Sequence, residues 1–327
     1  GIPAEEITLA EALKEQGYAT GMIGKWHLGH HEEFLPTNNG FDSYFGIPYS
    51  NDMDRVHGSP RGRAAFLEPR SEYWNVPLMR DTKVIERPAD QRTITKRYTR
   101  ATVDFIKTNK DKPFFAYLSF YSVHTPLMGR PDLVKKYRAR SKKINGDAFA
   151  DEEQVLGDAP RKVRILQKHA VYAAMVEAMD EAVGKVLKQL EDSGVADNTI
   201  VIFTSDNGGL STSEGSPTSN LPLRGGKGWV YEGGIREPWI IRYPGITQAG
   251  AISSEPICSI DLYPTLTELA GLADKQPKIL QGRSLVDYVK DSSTDIGESV
   301  AYTISYGGKG TTIRTNRYRY TRWGEEV

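Results

Sequence analysis

Short apolar runs alternate with segments of helical periodicity along most of the chain. The clearest run spans Val201 to Phe203; it is β-branched, apolar and bounded by turn residues, which is typical of a fully buried strand at the centre of a parallel sheet. Runs at residues 18–23, 113–120 and 239–243 predict further strands. The alternation indicates an α/β fold with a central, mostly parallel sheet and helices on both faces.

Helical periodicity and capping residues predict the intervening helices. Thr8 and Glu11 form a capping box at the start of the first helix, and Gly17 ends it. Further helices are predicted over residues 91–107, about 161–193 and 261–269. The long helix leads into the strand at Val201, which gives a right-handed crossover from the strand at 113–120. Because the chain opens on a helix, we expect a preceding strand to lie outside it.

Two regions do not follow the alternation of strands and helices. Residues 36–92 are rich in Pro, Gly, Asn and Asp and predict a long surface excursion over one edge of the sheet. Residues 300–306 and 311–323 predict a pair of antiparallel strands. We therefore divide the chain into an α/β domain at 1–285 and the start of a small antiparallel C-terminal subdomain at 286–327. Polar residues of the first region line a substrate cleft or are ordinary loop residues: Asp52, Asp54, His57 and Arg61.

Composition and charge limit the partners. The 327 residues, 39% hydrophobic and 26% charged, are ordinary globular material, and 42 basic residues balance 42 acidic ones. We therefore expect no nucleic-acid partner and, since no apolar run approaches the length of a bilayer, no membrane span. Cys258 is the only cysteine, so it cannot form an internal disulfide.

Polar residues stand at the carboxyl ends of two predicted strands. Asp206 and Asn207 follow the strand at Val201, and their carboxylate and amide oxygens suit a hard cation at the edge where α/β sheets bind ligands. An Asx turn is the alternative explanation for such a pair. His124 follows the strand at 113–120, although a lone histidine in that position is more often structural.

Two basic motifs are framed by glycines. Lys25 and His27 lie two residues apart at a strand end, and in extended chain they project to the same side, toward one anionic group. A solvated basic loop is the alternative. Lys227 lies between Gly226 and Gly228, where backbone and ammonium can closely approach an oxyanion. The segment does not match the phosphate-binding loop, because glycine follows the lysine.

Taken together, these motifs resemble the sulfatase family of the alkaline phosphatase superfamily, in particular its arylsulfatase and N-acetylgalactosamine-6-sulfatase type. The similar segments are GYATGMIGKWHLG at 17–29, SVHTP at 122–126, FTSDNGG at 203–209, RGGKGWVYEGGIREP at 224–238 and SIDLYPTLTELAG at 259–271. The resemblance covers essentially the whole chain. It implies an alkaline phosphatase-like fold.

The resemblance also implies an activity, the hydrolysis of sulfate esters of a sulfated carbohydrate or aryl sulfate through a sulfo-enzyme intermediate on a formylglycine. It implies that Lys25, His27, His124 and Lys227 are catalytic. Lys25 and Lys227 would hold the sulfate, His27 would contact the formylglycine, and His124 would donate a proton to the leaving oxygen. Asp206 and Asn207 would ligate one Ca²⁺. An exported location, periplasmic, extracellular or lysosome-like, is implied as well.

This sequence departs from the family pattern in three respects: the nucleophile motif, two aspartates for calcium, and the further C-terminal sheet into which relatives usually continue are all expected to lie outside it. It contains no Cys/Ser-x-Pro-x-Arg motif, and Cys258 is followed by Ser-Ile-Asp, so we expect the nucleophile and two further calcium-binding aspartates to lie outside the chain. The 327 residues alone are then expected to be inactive and to bind calcium weakly. Two alternatives stay open: a phosphodiesterase or phosphonate hydrolase of the same superfamily, and a non-catalytic sulfoglycan-binding pseudoenzyme.

Overall fold

The computed structural model describes residues 1–151, 162–297, 301–304 and 310–323. They form two compact units, the first made of residues 1–145 and 168–196 and the second of residues 146–167 and 197–327. The first unit contains, in chain order, α1 (Leu9–Lys14), β1 (Ala19–Lys25), β2 (Ser43–Ile47), α2 (Arg63–Leu67), β3 (Leu78–Arg80), β4 (Lys83–Glu86), α3 (Gln91–Asn109), β5 (Phe114–Ser119), α4 (Pro131–Ser141) and α5 (Ala170–Asp192).

The second unit is made mostly of short elements. They are β6 (Phe149–Asp151), β7 (Lys162–Arg164), β8 (Val201–Thr204), α6 (Glu232–Ile235), β9 (Trp239–Arg242), α7 (Leu262–Leu269), α8 (Val286–Lys290), β10 (Ala301–Ile304), β11 (Gly310–Arg314) and β12 (Arg319–Trp323). No helix in the described part of the chain is both long and apolar enough to cross a membrane. The predicted domain boundary after residue 285 stays a prediction.

A five-stranded sheet in the order β4-β3-β2-β1-β5 is the centre of the first unit. The central strand β1 pairs in parallel with β2 on one side and with β5 on the other, while β3 and β4 add an antiparallel edge. Successive residues of β1 enter cores on opposite faces of the sheet: Met22 packs in a cluster with Ala10 of α1, and Ile23 packs in a cluster with Ile94 of α3. The predicted α/β class with helices on both faces is confirmed.

Two glycines allow the three parallel strands to lie close together at one end. A Cβ atom on Gly24 of β1 would lie 1.9 Å from the carbonyl oxygen of Ser119 in β5. One on Gly46 of β2 would lie 1.8 Å from the carbonyl oxygen of Gly24. Both distances are far inside van der Waals contact, so only glycine fits at these positions. They stand at the carboxyl ends of the strands, beside Lys25.

Several predicted boundaries are corrected by the structure. The long helix begins at Ala170 and not near residue 161, because Lys162–Arg164 pairs with Phe149–Asp151 as a strand. Residue 161 lies outside the described residues. The first capping box is confirmed: the Thr8 hydroxyl accepts from the Glu11 N–H at 3.1 Å. The predicted surface excursion at 36–92 is wrong in part, since β2 lies inside the sheet next to β1.

The strand at Val201 has a different partner from the one predicted. β8 pairs with β9 in an antiparallel two-stranded sheet, with Val201 opposite Arg242, and its side chains are only half-buried. The prediction of a buried strand at the centre of a parallel sheet, reached by a right-handed crossover, is therefore wrong in the described part of the chain. An apolar run fixes a strand but not its partner, because hydrogen-bond pairing depends on distant chain.

The C-terminal residues form an antiparallel sheet, as predicted, but the second predicted strand is two strands. β11 and β12 pair with Gly310 opposite Trp323, and β10 pairs with β11 on the other side. Between β11 and β12 the chain turns where the Thr315 N–H donates to the Tyr318 carbonyl at 2.8 Å. Residues 300, 305 and 306 of the predicted strands lie outside the described residues.

Candidate functional site

The carboxyl ends of the parallel strands bring three polar side chains to one edge of the sheet in the first unit. Lys25 ends β1, Asp52 follows β2 and His124 follows β5. Because β2 and β5 both run parallel to β1, these ends meet at the same edge, where α/β sheets place their ligands. A carboxylate oxygen of Asp52 and a ring nitrogen of His124 lie within 4.8 Å of one another.

The backbone leaves the extended conformation immediately after Lys25. The Trp26 N–H donates to the Ile47 carbonyl at 3.0 Å and the His27 N–H to the Pro48 carbonyl at 3.1 Å. Trp26 is buried, with its indole N–H donating to the Phe34 carbonyl at 2.7 Å. His27 is exposed and has φ +57°. The argument that Lys25 and His27 project to one side of an extended strand is therefore wrong, since the strand ends at Lys25.

A positive φ at histidine is uncommon and costs roughly 1–2 kcal/mol. Backbone strain of this kind is found mainly at functional sites. The backbone hydrogen bonds from Trp26 to Ile47, the last residue of β2, and from His27 to Pro48 hold the turn in place. The convergence of Lys25 and His27 on one anion stays a prediction, although the extended-chain geometry on which it depended is absent.

His124 is held by its own backbone neighbourhood. Its N–H donates to the Tyr121 carbonyl at 2.7 Å, and its Nδ1 lies 2.5 Å from the Thr125 carbonyl oxygen. Since a carbonyl can only accept, Nδ1 carries a proton in this arrangement. Proton transfer to or from a substrate then falls to Nε2. The ring is half-buried, which limits its orientation while leaving it accessible.

A buried amide pair positions the loop that carries Asp52. The Asn51 side chain donates to Gln91 Oε1 at 3.1 Å, and the Gln91 side chain donates back to the Asn51 carbonyl at 3.1 Å. The Tyr121 hydroxyl donates to the Gln91 carbonyl at 2.6 Å. Asn51 and Gln91 are almost fully buried, so α3 links the loops after β2 and β5. The sequence indicated Asp52 as a residue of a substrate cleft or an ordinary loop residue, and this pairing holds the loop that places it beside His124.

In the second unit, Asp206 and Asn207 lie in a turn that directly follows β8. The Asn207 carbonyl accepts from the Ser205 hydroxyl at 3.1 Å, and the Gly208 N–H donates to the Gly234 carbonyl at 3.1 Å. A Cβ atom on Gly208 would lie 1.8 Å from the Gly233 carbonyl oxygen. The turn can approach the 233–234 backbone this closely only because residue 208 is glycine.

Lys227 is attached to the same turn through the backbone. Its N–H donates to the Gly209 carbonyl at 3.2 Å. The amide of Asn220 donates to the carbonyls of Gly209, Gly225 and Gly233 at 2.8, 2.9 and 3.1 Å. One side chain thus ties together the segments that carry Asp206 and Lys227. We name this arrangement, residues 206–209, Asn220, 225–227 and 233–234, the glycine cluster.

Glu237 is a candidate site residue that the sequence patterns did not indicate. Burial raises the pKa of Glu237 to about 7, and the neighbouring Asp206 carboxylate adds to the rise. Its Oε1 atom is buried without a hydrogen-bond partner in the described part of the chain. Its only signal in the sequence is a carboxylate shortly after the glycines at 233–234. The two carboxylates, with Asn207 next to Asp206 in the sequence, offer hard oxygen donors whose charge a divalent cation would neutralise.

The six predicted site residues are distributed between the two units. Lys25, His27 and His124 belong to the first unit, and Asp206, Asn207 and Lys227 to the second. Within the first unit, Lys25 and His124 reach the same sheet edge; within the second, all three residues belong to or contact the glycine cluster. The gathering of all six around one ligand stays a prediction.

Comparison with known proteins identifies the family. The family model described as Sulfatase matches residues 1–272, and the model described as N-sulphoglucosamine sulphohydrolase, C-terminal, matches residues 226–326. The chain belongs to the sulfatase family. Its match to the first model includes all six predicted site residues.

Individual sulfatases are similar over most of this chain. N-acetylgalactosamine-6-sulfatase of Canis lupus familiaris is 34% identical over 88% of this chain and 49% of its own length. Arylsulfatase G of Mus musculus is 30% identical over 98% of this chain and 60% of its own length. The chain thus spans about half to three fifths of these curated relatives.

Solved structures show the same fold. The crystal structure of Ps i-CgsB in complex with k-i-k-neocarrahexaose has a TM-score of 0.75 and 27% identity, covering 98% of this chain and 66% of the other. The PsFucS1 sulfatase from Pseudoalteromonas sp. has a TM-score of 0.70 at 23% identity. The sulfatase fold of this chain is therefore established by sequence and by structure.

Proposed function

We propose that this chain supplies the sulfate-binding and proton-donating groups of a hydrolase that cleaves sulfate esters of a sulfated carbohydrate. The observation that supports the proposal is the parallel pairing of β1 and β5, which directs Lys25 and His124 to the same edge of the sheet, with Nδ1 of His124 bonded to the Thr125 carbonyl. Hydrolysis of a sulfate ester requires a cation that binds the sulfate oxygens and a proton donor for the leaving oxygen, and both are available at this edge of the sheet.

The reaction replaces the S–O bond to the alcohol by a bond from sulfur to an oxygen that derives from water. As the S–O bond breaks, negative charge grows on the leaving oxygen, and His124 donates a proton to it from Nε2. The Asp52 carboxylate, within 4.8 Å of the ring, stabilises positive charge on the imidazole before the transfer. The products are the free hydroxyl of the carbohydrate and inorganic sulfate.

The sulfate oxygens need positive charge throughout. Lys25 and Lys227 are proposed to bind them as ammonium groups, with Lys227 held by its backbone bond to Gly209. Asp206 and Asn207 are proposed to hold one Ca²⁺, with Glu237 close by; the bound ion would add positive charge at the sulfate. By family resemblance, a formylglycine is the proposed nucleophile, and His27 is proposed to contact it.

The substrate class rests on the relatives. N-acetylgalactosamine-6-sulfatase is named for a sulfated sugar, and Ps i-CgsB was crystallised with a neocarrahexaose. Both support a sulfated carbohydrate for this chain. An exported location is proposed on the same family grounds.

Sulfate release from an aryl sulfate by the natural protein that carries this chain, with calcium in excess, tests the proposal. Lys227→Ala should lower kcat more than it raises KM, on the order of 10²-fold, because the ammonium acts on charge that grows in the transition state. Lys110→Ala, an exposed lysine of the first unit, is the matched control and should leave both constants unchanged. A Lys227→Ala variant with full turnover would remove Lys227 from the site.

Calcium binding gives a second readout that does not require turnover. Asp206→Ala should weaken calcium affinity measured by calorimetry, since it removes a charged ligand. Asp197→Ala, in the same unit, should not. Unchanged affinity in Asp206→Ala would place the metal elsewhere.

A further inference from the structure

A large groove lies beside α4 in the first unit. It has a volume of about 1050 Å³, at the upper end of the range for small-molecule sites. Its floor is apolar and includes the buried side chains of Leu67, Leu127 and Met128. One wall is α4 and the other is the segment around residues 68–72. We name it the α4 groove.

The α4 wall carries three basic side chains on one face of the helix. Lys135, Arg138 and Lys142 all line the groove and are exposed, and their spacing of three and then four residues places them one above another. None of the three forms an ion pair in the described part of the chain.

Three other bases of this segment have partners, two in ion pairs and one on an aromatic ring. Arg130 pairs with Glu181 of α5 at 2.6 Å, Lys136 pairs with Glu177, and Lys136 and Arg140 both lie over the ring of Tyr137. The lining of the groove carries five bases against two acids: Arg70, Arg92, Lys135, Arg138 and Lys142 against Glu68 and Glu72. Among the described residues the charge of the lining is therefore net positive, which favours an anionic ligand.

The lining indicates which polyanion fits. Single-stranded nucleic acid binds by stacking bases on aromatic side chains, and no aromatic side chain is among the described residues that line the groove. Sulfate groups need separate cationic contacts, which Lys and Arg provide, and the apolar floor can cover the C–H face of a sugar ring. The chemistry therefore favours a sulfated carbohydrate.

The groove also lies close to the proposed site of hydrolysis. Its floor begins at Leu127, three residues after His124, and three residues of chain span at most about 11 Å. The Leu127 N–H donates to the Phe66 carbonyl at 2.8 Å, which fixes the floor against α2. A carbohydrate with one sulfate at His124 can extend its neighbouring units into the groove.

We propose that the α4 groove binds the sulfated units of a carbohydrate chain that flank the ester under attack, through Lys135, Arg138 and Lys142. This inference rests on the proposed function for the identity of the central unit, but the flanking contacts can be measured without turnover. The groove then makes the protein selective for oligosaccharides over single sulfated sugars.

Calorimetry with two probes tests this: a sulfated carrageenan hexasaccharide and a sulfated galactose monosaccharide, each added to the natural protein that carries this chain. The variant combines Lys135→Gln, Arg138→Gln and Lys142→Gln. Its affinity for the hexasaccharide should fall on the order of tenfold, since exposed charge contacts are individually weak, and its affinity for the monosaccharide should not change. Added salt should weaken hexasaccharide binding less in this variant than in the wild type.

The matched control combines Lys107→Gln, Lys110→Gln and Lys112→Gln, which removes the same charge from exposed lysines outside the groove. It should bind both probes as the wild type does. Equal losses in both triple variants would overturn the inference, because net charge alone would then explain the binding. Full hexasaccharide affinity in the α4 variant, or an equal loss of affinity for a single-stranded oligonucleotide, would also overturn it.

The two proposals fail separately. If the α4 variant binds the hexasaccharide normally while aryl sulfate hydrolysis still depends on Lys227, the groove inference is wrong and the proposed function stands. If the hexasaccharide contacts are confirmed but no sulfate is released by any form of the protein, the proposed function is wrong and the chain is a binding module.

Discussion

The two units hold their polar side chains by different means. In the first, Lys25, Asp52 and His124 are positioned by the register of parallel strands and by the buried Asn51–Gln91 pair. In the second, polar groups are positioned by backbone contacts between glycines and by the Asn220 amide, next to the two-stranded sheet of β8 and β9. The first arrangement depends on a hydrophobic core and the second on the absence of side chains.

This difference predicts how each unit responds to amino-acid substitutions. The sheet edge lies between two cores on opposite faces, so substitutions at its polar residues should alter chemistry with little loss of stability. In the glycine cluster, backbone carbonyl oxygens occupy the space that side chains would otherwise fill. Adding a single Cβ atom there should therefore lower the free energy of unfolding and also displace the site residues.

The largest effect is expected for Gly208→Ala. Its Cβ would lie 1.8 Å from the Gly233 carbonyl oxygen, a backbone atom that cannot rotate away, so we expect a loss of about 3 kcal/mol in the free energy of unfolding. Gly184→Ala is the matched change in α5, where a Cβ meets nothing within 4 Å, and it should stabilise the protein by up to about 1 kcal/mol. Urea unfolding measures both; similar effects for the two would show that the cluster is not tightly packed.

His124→Ala tests the sheet edge and should change rate rather than stability. We expect kcat for aryl sulfates to fall on the order of 10²-fold, because the proton for the leaving oxygen is lost. The loss should shrink as the leaving phenol becomes more acidic, since a stable phenolate needs no proton. A loss that is the same for all phenols would mean that His124 does not donate the proton.

Asn220→Asp tests the hydrogen bonds of the glycine cluster. The change replaces an amide that donates to three carbonyls by an oxygen that repels them, so we expect a loss of about 2 kcal/mol in the free energy of unfolding. Asn38→Asp in the first unit removes one exposed bond to the Glu32 carbonyl and should cost well under about 1 kcal/mol. Equal costs would contradict the central role given to Asn220.

The comparison also shows which features the sequence could predict. β1, β5 and α3 were predicted nearly to their ends, because apolar period and caps are local signals. β2 was missed: Tyr44 and Phe45 lie in a stretch rich in turn residues, and only pairing with β1 makes them a strand. The antiparallel partner of β8 was missed for the same reason, since pairing is decided by residues far along the chain.

The same distinction between local patterns and long-range contacts applies to the residues of the candidate site. The positions of Lys25, His124 and Asp206 near strand ends followed from local patterns: Lys25 ends β1, while Asp206 and His124 lie in the segments that follow β8 and β5. The sequence left open whether Asp52 lines a cleft and did not indicate Glu237, because the part of each depends on a neighbour from another element, His124 for Asp52 and Asp206 for Glu237. Asn220 was hidden because an asparagine in a polar loop has no distinguishing pattern.

The smallest effect concerns Glu237 and the pH dependence of stability in the absence of calcium. Its folded pKa of about 7 lies above the ordinary value of 4.5, so the folded protein holds this proton more tightly than the unfolded chain. The associated stability is complete below about pH 4.5 and is lost as the pH rises through about 7.

In the presence of a chelator, Glu237→Gln should remove this part of the decline and should unfold at a slightly higher temperature than the wild type at pH 8. Glu268→Gln, a carboxyl of the same unit, serves as the control and should leave the decline unchanged. Calcium should have the same effect on the wild type as the Gln substitution, because a cation neutralises the carboxylate pair. If thermal unfolding of Glu237→Gln follows the wild-type pH curve throughout, the two carboxylates do not interact and Glu237 has no part in the cation site.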